Sequence, residues 1–426
     1  MSRKIYSLLF YLLLPALLLR LLWRGLRAPD YRQRWGERFG YYSTSGRAVT
    51  LWIHCVSVGE FVAAIPLIRS CLTEGEVLVT TMTPTGSARV RAEFGDQLQH
   101  VYLPYDLPAA VSRFLRQFSP SMGVVMETEL WPNLFHGCRS AEIPLLLANV
   151  RLSQRSYEGY QRWVPGLVSE ALCAVTWAAL QSEADAQRLA ALGMAEDKIS
   201  VTGSIKFDLT LPAEVGVQGV ALRETLGVER PIWIAASTRE GEEEAVLMAH
   251  RALLRQLPDA LLVLVPRHPE RFNRVARQVE AAPFHLSRRA LGEPCEAGTE
   301  VYLADTMGEM MLLYSAVDIA YVGGSLVPTG AHNMLEPAAL GKPVLFGPHR
   351  FNFAEISQLL INQGAALEVA DAAMLTETLR TLFLHRERQQ QMGQQGLRVV
   401  AQNRGALDKL LAGIRAQQRK KSAGVG

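Results

Sequence analysis

The 426 residues are 49% hydrophobic and 20% charged, enough apolar material for more than one core, since single cores stop growing at roughly 250–300 residues. The net charge of +3 is too small to argue on its own for a nucleic-acid partner, which usually needs a concentrated basic footprint. Five cysteines, at 55, 71, 138, 173 and 295, have no CxxC or other metal-ligand spacing and read as reduced thiols in the cytoplasm.

Residues 1–40 hold eight Arg or Lys and two acids, so the rest of the chain carries a net −3. Within them "IYSLLFYLLLPALLLRLLW", Ile5 to Trp23, is the most apolar run, bracketed or interrupted by Arg3, Lys4, Arg20, Arg24 and Arg27. No small-residue cleavage site follows, which argues against a signal peptide. The fifteen residues from Ile5 to Leu19, at about 1.5 Å each, fall short of a hydrocarbon core of roughly 30 Å. Counting through Arg20, which can snorkel, approaches that length. A spanning helix and an in-plane anchor both stay open. A buried helix of a soluble domain is disfavoured, because leucines occupy every face and arginines cluster on the exit side. Trp23, Tyr31 and Trp35 suit a headgroup interface. Residues 1–40 are therefore read as a membrane anchor.

From residue 50 short apolar runs alternate with helical stretches. "TLWIHCV", "EVLVTTM", "HVYLPY", "MGVVM", "PLLLANV", "CAVTWAAL" and "ISVTG" read as buried strands of a parallel, helix-covered sheet. The polar break "FDLTLPAEVGVQG" interrupts them, and "PIWIAAS", "LLVLVP", "EVYLAD", "IAYVGGS" and "KPVLFGP" form a second series. The expected class is α/β: two doubly wound, Rossmann-like domains facing a cleft, residues 41–212 and 213–426, the second including the C-terminal helix.

In such sheets ligands bind beyond the carboxyl ends of strands. In "SVGE", Glu60 stands where a strand turns into a helix. There it could act as a base, or satisfy the helix dipole. Glu127 and Glu129 of "METELWPN" also follow a strand. They could bind the acceptor or support Glu60, Glu129 being preferred, or pair with an arginine such as Arg151. In the second series "VGGSLVPTGAHNMLEPAA" offers backbone N–H groups after two glycines, then Asn333 and Glu336 at a helix start, a pattern that suits a nucleotide's phosphate and ribose. A plain N-cap is the alternative. Arg267 of "VPRHPER" could grip a phosphate or sit in a surface ion pair. "DTMGEM" places Gly308 and an acid at a nucleobase edge or in a simple cap. The absence of Asp-X-Asp, HExxH and clustered His/Cys gives no indication of a catalytic metal.

Together "APDYRQRWGERFG", "SVGE", "TTMTPTGS", "HVYLPYD", "METELWPN", "ANVRLS", "VTGSIKFD", "VPRHPERF", "DTMGEM", "VGGSL", "GAHNMLEPAA" and "GPHRFNF" resemble the 3-deoxy-D-manno-octulosonic acid (Kdo) transferases of lipopolysaccharide synthesis, over nearly the whole chain. The resemblance implies a GT-B glycosyltransferase that moves Kdo from CMP-Kdo to lipid IVA with inversion at the anomeric carbon, adding more than one Kdo. It implies Glu60 as proton acceptor and CMP contacts at Pro266 and Arg267, at Met307, Gly308 and Glu309, and at Asn333, Met334, Leu335 and Glu336. The family's "HNxLE" pattern reads "HNMLE" here, with its polar positions intact. No cofactor or metal is implied, because CMP-Kdo is a substrate and CMP leaves with a single phosphate. The implied partners are CMP-Kdo, lipid IVA and inner-membrane lipids, with the catalytic domains on the cytoplasmic side of a bacterial inner membrane. Another GT-B nucleotide-sugar enzyme and a non-catalytic membrane-bound nucleotide sensor are the rival readings; donor competition by CMP against UDP separates the first, and lack of turnover the second.

Overall fold

The computed structural model describes residues 1–43, 48–209 and 211–423. Its contacts divide the chain into two units, Met1–Asp208 with Arg404–Gly426, and Leu209–Asn403. The first unit holds β1 (Leu51–His54), β2 (Val77–Thr81), β3 (Gln99–Tyr102), β4 (Gly123–Met126), β5 (Leu145–Val150), β6 (Trp177–Leu180) and β7 (Ile199–Val201). They pair in parallel in the order β3-β2-β1-β4-β5-β6-β7. Successive strand residues point to opposite faces. Trp52, Leu78, Val125 and Leu147 therefore fill one core, while Ile53, Val79, Val124 and Leu146 fill the other. With both faces covered, the strands read as unbroken apolar runs.

The second unit repeats this plan with β8 (Ile232–Thr238), β9 (Leu261–Pro266), β10 (Leu286–Arg288), β11 (Val301–Leu303), β12 (Ile319–Val322), β13 (Val344–Phe346) and β14 (Ala366–Glu368). Their order is β10-β11-β9-β8-β12-β13-β14, again all parallel. The sequence reading contains every strand except β10 and β14. Both are three-residue edge strands, too short and too polar to show an apolar run.

Two stretches behave differently from the sequence expectation. The helix Val215–Leu226 begins inside the segment read as a polar break. Its Gly219 is a packing residue: a Cβ there would lie 2.1 Å from Ser315 Oγ. The C-terminal helix Ala406–Ala423, grouped by sequence with residues 213–426, packs on the first unit. Asp208 accepts the backbone N–H groups of Gly405 and Leu407, each at 2.6 Å. Gly413 lets the helix approach Trp177, and Leu410, Leu411 and Ile414 complete a core of the first sheet. Position in the chain did not announce this return, because the apolar face it completes belongs to strands more than two hundred residues earlier.

Candidate active site

In each sheet the strand order reverses beside the first strand, and doubly wound sheets bind ligands in the crevice expected at that point, beyond the strand ends. In the first unit it lies between β1 and β4, and the residues after those strands include Glu60, Glu127 and Glu129. Ser57 caps the helix Val58–Leu72 and Glu60 closes a capping box with it. The Glu60 carboxylate accepts from Val56 N (2.7 Å), Ser57 N (3.2 Å) and the Ser57 hydroxyl (2.7 Å). It is 8% exposed. Burial raises its pKa, against these hydrogen bonds, with a smaller push from the charge of Glu127. The helix-start role weighed from sequence is thus realised in the geometry. A carboxylate offers about four acceptor positions, so three donors leave room for an incoming hydroxyl.

Glu127 adopts a left-handed backbone (φ 56°) at the end of β4, a conformation that is uncommon outside glycine. Its carboxylate pairs with Lys206 Nζ at 3.2 Å. Lys206 stands on the turn Ile205–Phe207, which Asn149 Oδ1 fixes by accepting Ile205 N at 3.1 Å. The fragments "ANVRLS" and "VTGSIKFD" therefore meet at one place. Sequence reading quoted both and singled out neither Asn149 nor Lys206; the signal available was a lysine just beyond the last strand of a sheet already carrying acids.

Burial first, and then the charge of Glu60, raise the Glu129 carboxyl from its ordinary 4.5 to about 7. Between those values the folded chain holds a proton that the unfolded chain has released, so this group lowers stability as pH rises through that window. Glu129→Gln keeps the shape without the charge. The variant is expected to be more stable than the parent at about pH 8, with the difference vanishing near pH 4.5. Denaturant unfolding at both pH values checks this; parallel curves would show that Glu129 ionises freely.

In the second unit the crevice lies between β8 and β12. Ser237 is left-handed (φ 58°) near the end of β8, and Arg239 follows. Arg239 donates its Nε to His332 Nε2 at 3.2 Å and its Nη1 makes a close contact with His268. Burial, then the charges of Arg239, Arg267 and His268, lower the His332 pKa to about 3, so His332 is neutral and accepts. Arg267 itself is exposed and acts on Glu336 as well as on His332. Glu336 accepts from Asn333 Nδ2 at 3.1 Å, and Asn333 Oδ1 accepts Leu335 N at 3.0 Å. Burial raises the Glu336 pKa, while Asn333 and Arg267 lower it. Arg267, Asn333 and Glu336 are thereby brought together, with Pro266 buried at the end of β9. Met334 and Leu335 are fully buried, backbone included, and Leu335 N is already taken by Asn333, so neither presents surface to a ligand, contrary to the contacts implied for them.

The structure changes two details of the nucleotide expectation. The N–H groups after the Gly-Gly pair are occupied: Gly324, Ser325 and Leu326 donate to the buried Glu242 at 2.6, 2.9 and 2.9 Å. The helix after Asn333 spans only Leu335–Ala339, so its dipole is short. The positive charge at this site comes instead from Arg239 and Arg267. Beneath them Arg271 makes a two-pronged pair with the buried Glu243, both contacts at 2.8 Å, and Thr238 donates to the same carboxylate. Arg239, Glu242 and Glu243 lie in "STREGEEE", directly after β8, and His332 in the quoted "GAHNMLEPAA"; sequence reading assigned a role to none of them.

Glu309 is held by Arg289 through two contacts, at 2.6 and 2.7 Å, and this pairing lowers its pKa. Gly308 is left-handed (φ 85°) with open space around it, and Met307 is exposed. This loop consequently presents backbone and the Met307 side chain to a ligand, with the Glu309 carboxylate acting as its brace.

A family profile described as 3-deoxy-D-manno-octulosonic-acid transferase (kdotransferase) matches residues 33–209. The 3-deoxy-D-manno-octulosonic acid transferase of Haemophilus influenzae is 42% identical over 417 residues, covering 96% of this chain and 97% of its own. The protein of the same description from Bordetella pertussis is 37% identical over 430 residues, covering 96% and 98%. Among solved structures, UDP-GlcNAc 2-epimerase from Neisseria meningitidis bound to UDP-GlcNAc matches with a TM-score of 0.57 at 15% identity, over 86% of this chain and 99% of that one. At that identity the likeness is one of fold, and two parallel-sheet α/β units are consistent with the GT-B class.

Proposed function

The chain belongs to the 3-deoxy-D-manno-octulosonic acid transferase family, and on that premise we propose how its residues divide the work. It is a glycosyltransferase that moves Kdo from CMP-Kdo to lipid IVA. Glu60 takes the proton of the attacking acceptor hydroxyl, with Glu129 supporting it. Arg267, Asn333 and Glu336 hold CMP, aided by the backbone at Pro266 and at Met307 to Glu309. The observation that carries this division is the place of the two groups. Each stands at the order reversal of its sheet, carboxylates on the first and guanidinium groups with Glu336 on the second.

The chemistry suits those places. Glycosyl transfer needs a base for the hydroxyl and positive charge for the departing nucleotide. Burial holds the Glu60 pKa above its ordinary value, which makes it a stronger base once ionised. Arg239 and Arg267 supply the positive charge for CMP, and Glu336 suits the ribose hydroxyls. The apolar helix at the N-terminal end supports association with the bacterial inner membrane, where a lipid acceptor resides.

Incubation with CMP-Kdo and lipid IVA, followed by mass analysis, tests the reaction. One Kdo increment or more on lipid IVA is the expected product, and release of CMP without an increment would contradict transfer. Arg267→Ala and Glu336→Ala are each expected to weaken CMP binding by about 1.5–3 kcal/mol, roughly ten- to hundredfold, as charge-assisted contacts do. Calorimetry giving parental affinity in both variants would place CMP elsewhere.

A further inference from the structure

The helix Arg3–Arg27 is long and apolar enough to cross a membrane, with a mean hydropathy of 2.1 over its most apolar 18 residues. Both its ends, however, are tied to the first unit. At its start Arg3 Nη1 and the Ser7 hydroxyl donate to Asn133 Oδ1 at 3.1 and 2.9 Å, and Arg3 faces Glu170 at 3.6 Å. Asn133 is in turn fixed by the buried Asp106, which accepts its backbone N–H at 3.0 Å, and Tyr6 sits beside that same carboxylate. At its end Arg32 donates to Gly25 O at 2.8 Å, folding the chain back. Two residues on, Arg34 bonds Ser87 and the carbonyl of His100, both at 3.0 Å.

A helix of 25 residues is about 37 Å long at about 1.5 Å per residue. If it spanned, its ends would lie on opposite sides of a hydrocarbon core of roughly 30 Å, and one globular unit could not hold both. Exposure along the helix follows from this attachment. Arg3, Tyr6, Ser7, Phe10, Leu14, Leu17, Leu18, Leu21 and Gly25 are the less exposed positions, at the spacing of one helical face. Leu8, Leu12, Leu19, Leu22 and Leu26 are 50–72% exposed, on the side turned away from the protein. Lys4 and Arg20 are exposed beside that leucine stripe, at positions where anionic headgroups would meet them.

We infer that this helix lies in the plane of the bilayer, its outer leucines in the acyl boundary and its inner face on the first unit, so that the protein rests on one leaflet without crossing the membrane. The inference rests on the membrane association proposed above and assigns its geometry. A bilayer rich in anionic phospholipid is the partner that fits, because an apolar stripe flanked by cations matches acyl chains beneath anionic headgroups.

The test places a single accessible thiol at the helix start, Ser2→Cys, in a full-length protein carrying Cys173→Ser and Cys295→Ser, since the other cysteines are buried. A membrane-impermeant maleimide is expected to label it in inverted inner-membrane vesicles without detergent, and not in intact spheroplasts. Labelling from the spheroplast exterior alone would overturn the in-plane geometry while leaving membrane association standing. In parallel, Leu12→Glu with Leu19→Glu is expected to weaken binding to phosphatidylglycerol-containing vesicles about tenfold or more, with an unchanged thermal midpoint. Parental binding by that variant would show that another surface meets the lipid. Failure of the unsubstituted protein to bind such vesicles would remove the association itself.

Discussion

Glu60→Gln is expected to lower the turnover number by about 10²–10⁴-fold, the usual contribution of a general base, while CMP affinity stays at the parental value. Glutamine is the informative replacement because it is also a capping-box residue. Its amide oxygen can still accept from Ser57, as Glu60 Oε1 does now. Its amide nitrogen would face Val56 N, where Oε2 now accepts at 2.7 Å, so roughly 1–3 kcal/mol of stability is lost at that one contact. Glu60→Ala removes all three acceptor contacts, and with them the carboxylate's half of the capping box, although Ser57 still accepts the backbone N–H of residue 60; it mixes loss of chemistry with loss of structure. If Glu60 only braces the helix, activity should follow stability and the glutamine variant should outperform the alanine variant. If it is the base, both fail alike, and the glutamine variant fails while folded. Single-turnover assays, calorimetry with CMP and a thermal melt on the same samples separate these outcomes. A folded glutamine variant with near-parental turnover would remove Glu60 from the chemistry. CMP affinity is the control, because the proposed nucleotide residues all belong to the other unit.

The sheets were legible in the sequence because a strand buried on both faces leaves an unbroken apolar run, and "TLWIHCV" or "LLVLVP" cannot be much else between helical stretches. The edge strands Leu286–Arg288 and Ala366–Glu368 were not, since an edge needs neither length nor a continuous apolar face. Candidate site residues could be named where a short motif carried them, as with Glu60 and the run Asn333 to Glu336. Partnerships across long separations were not. Nothing local in "SIKFD" says that Lys206 meets Glu127, 79 residues away, and nothing in "STREGEEE" says which of its acids enters the core. Glycine was the least reliable guide. Gly219 reads as a loop residue yet lies inside a helix, and the Gly323–Gly324 pair reads as the start of a phosphate cradle, yet the amides of Gly324, Ser325 and Leu326 serve an internal carboxylate.

That carboxylate leads to the other large expected effect. Glu242 is completely buried and accepts from five donors: Arg239 N at 2.8 Å, Gly324 N at 2.6 Å, Ser325 N and Leu326 N at 2.9 Å, and the Tyr321 hydroxyl at 3.0 Å. It ties the start of one crevice wall, Arg239, to the loop that leaves β12 on the other. Gly323 lets the two strands close in, since a Cβ there would lie 2.8 Å from Ser237 O. Removing one partner of such a network leaves buried donors without acceptors, the costly direction of the exchange. Glu242→Ala is therefore expected to destabilise the second unit by about 3–5 kcal/mol, and to raise amide hydrogen exchange at Gly324, Ser325 and Leu326 together. CMP affinity should fall at least tenfold or so, because Arg239 and the approach to Asn333 lose their fixed positions. Tyr321→Phe removes one donor and its acceptor contact at once, and should cost only about 1 kcal/mol. A different outcome has a clear meaning. If Glu242 merely occupies a cradle that the phosphate of CMP claims in its turn, the alanine variant would free those N–H groups and bind CMP as tightly as the parent, or more tightly. Affinity therefore decides between a brace and a placeholder, and the exchange rates of the three amides, measured with and without CMP, show whether the nucleotide has taken the place of the carboxylate.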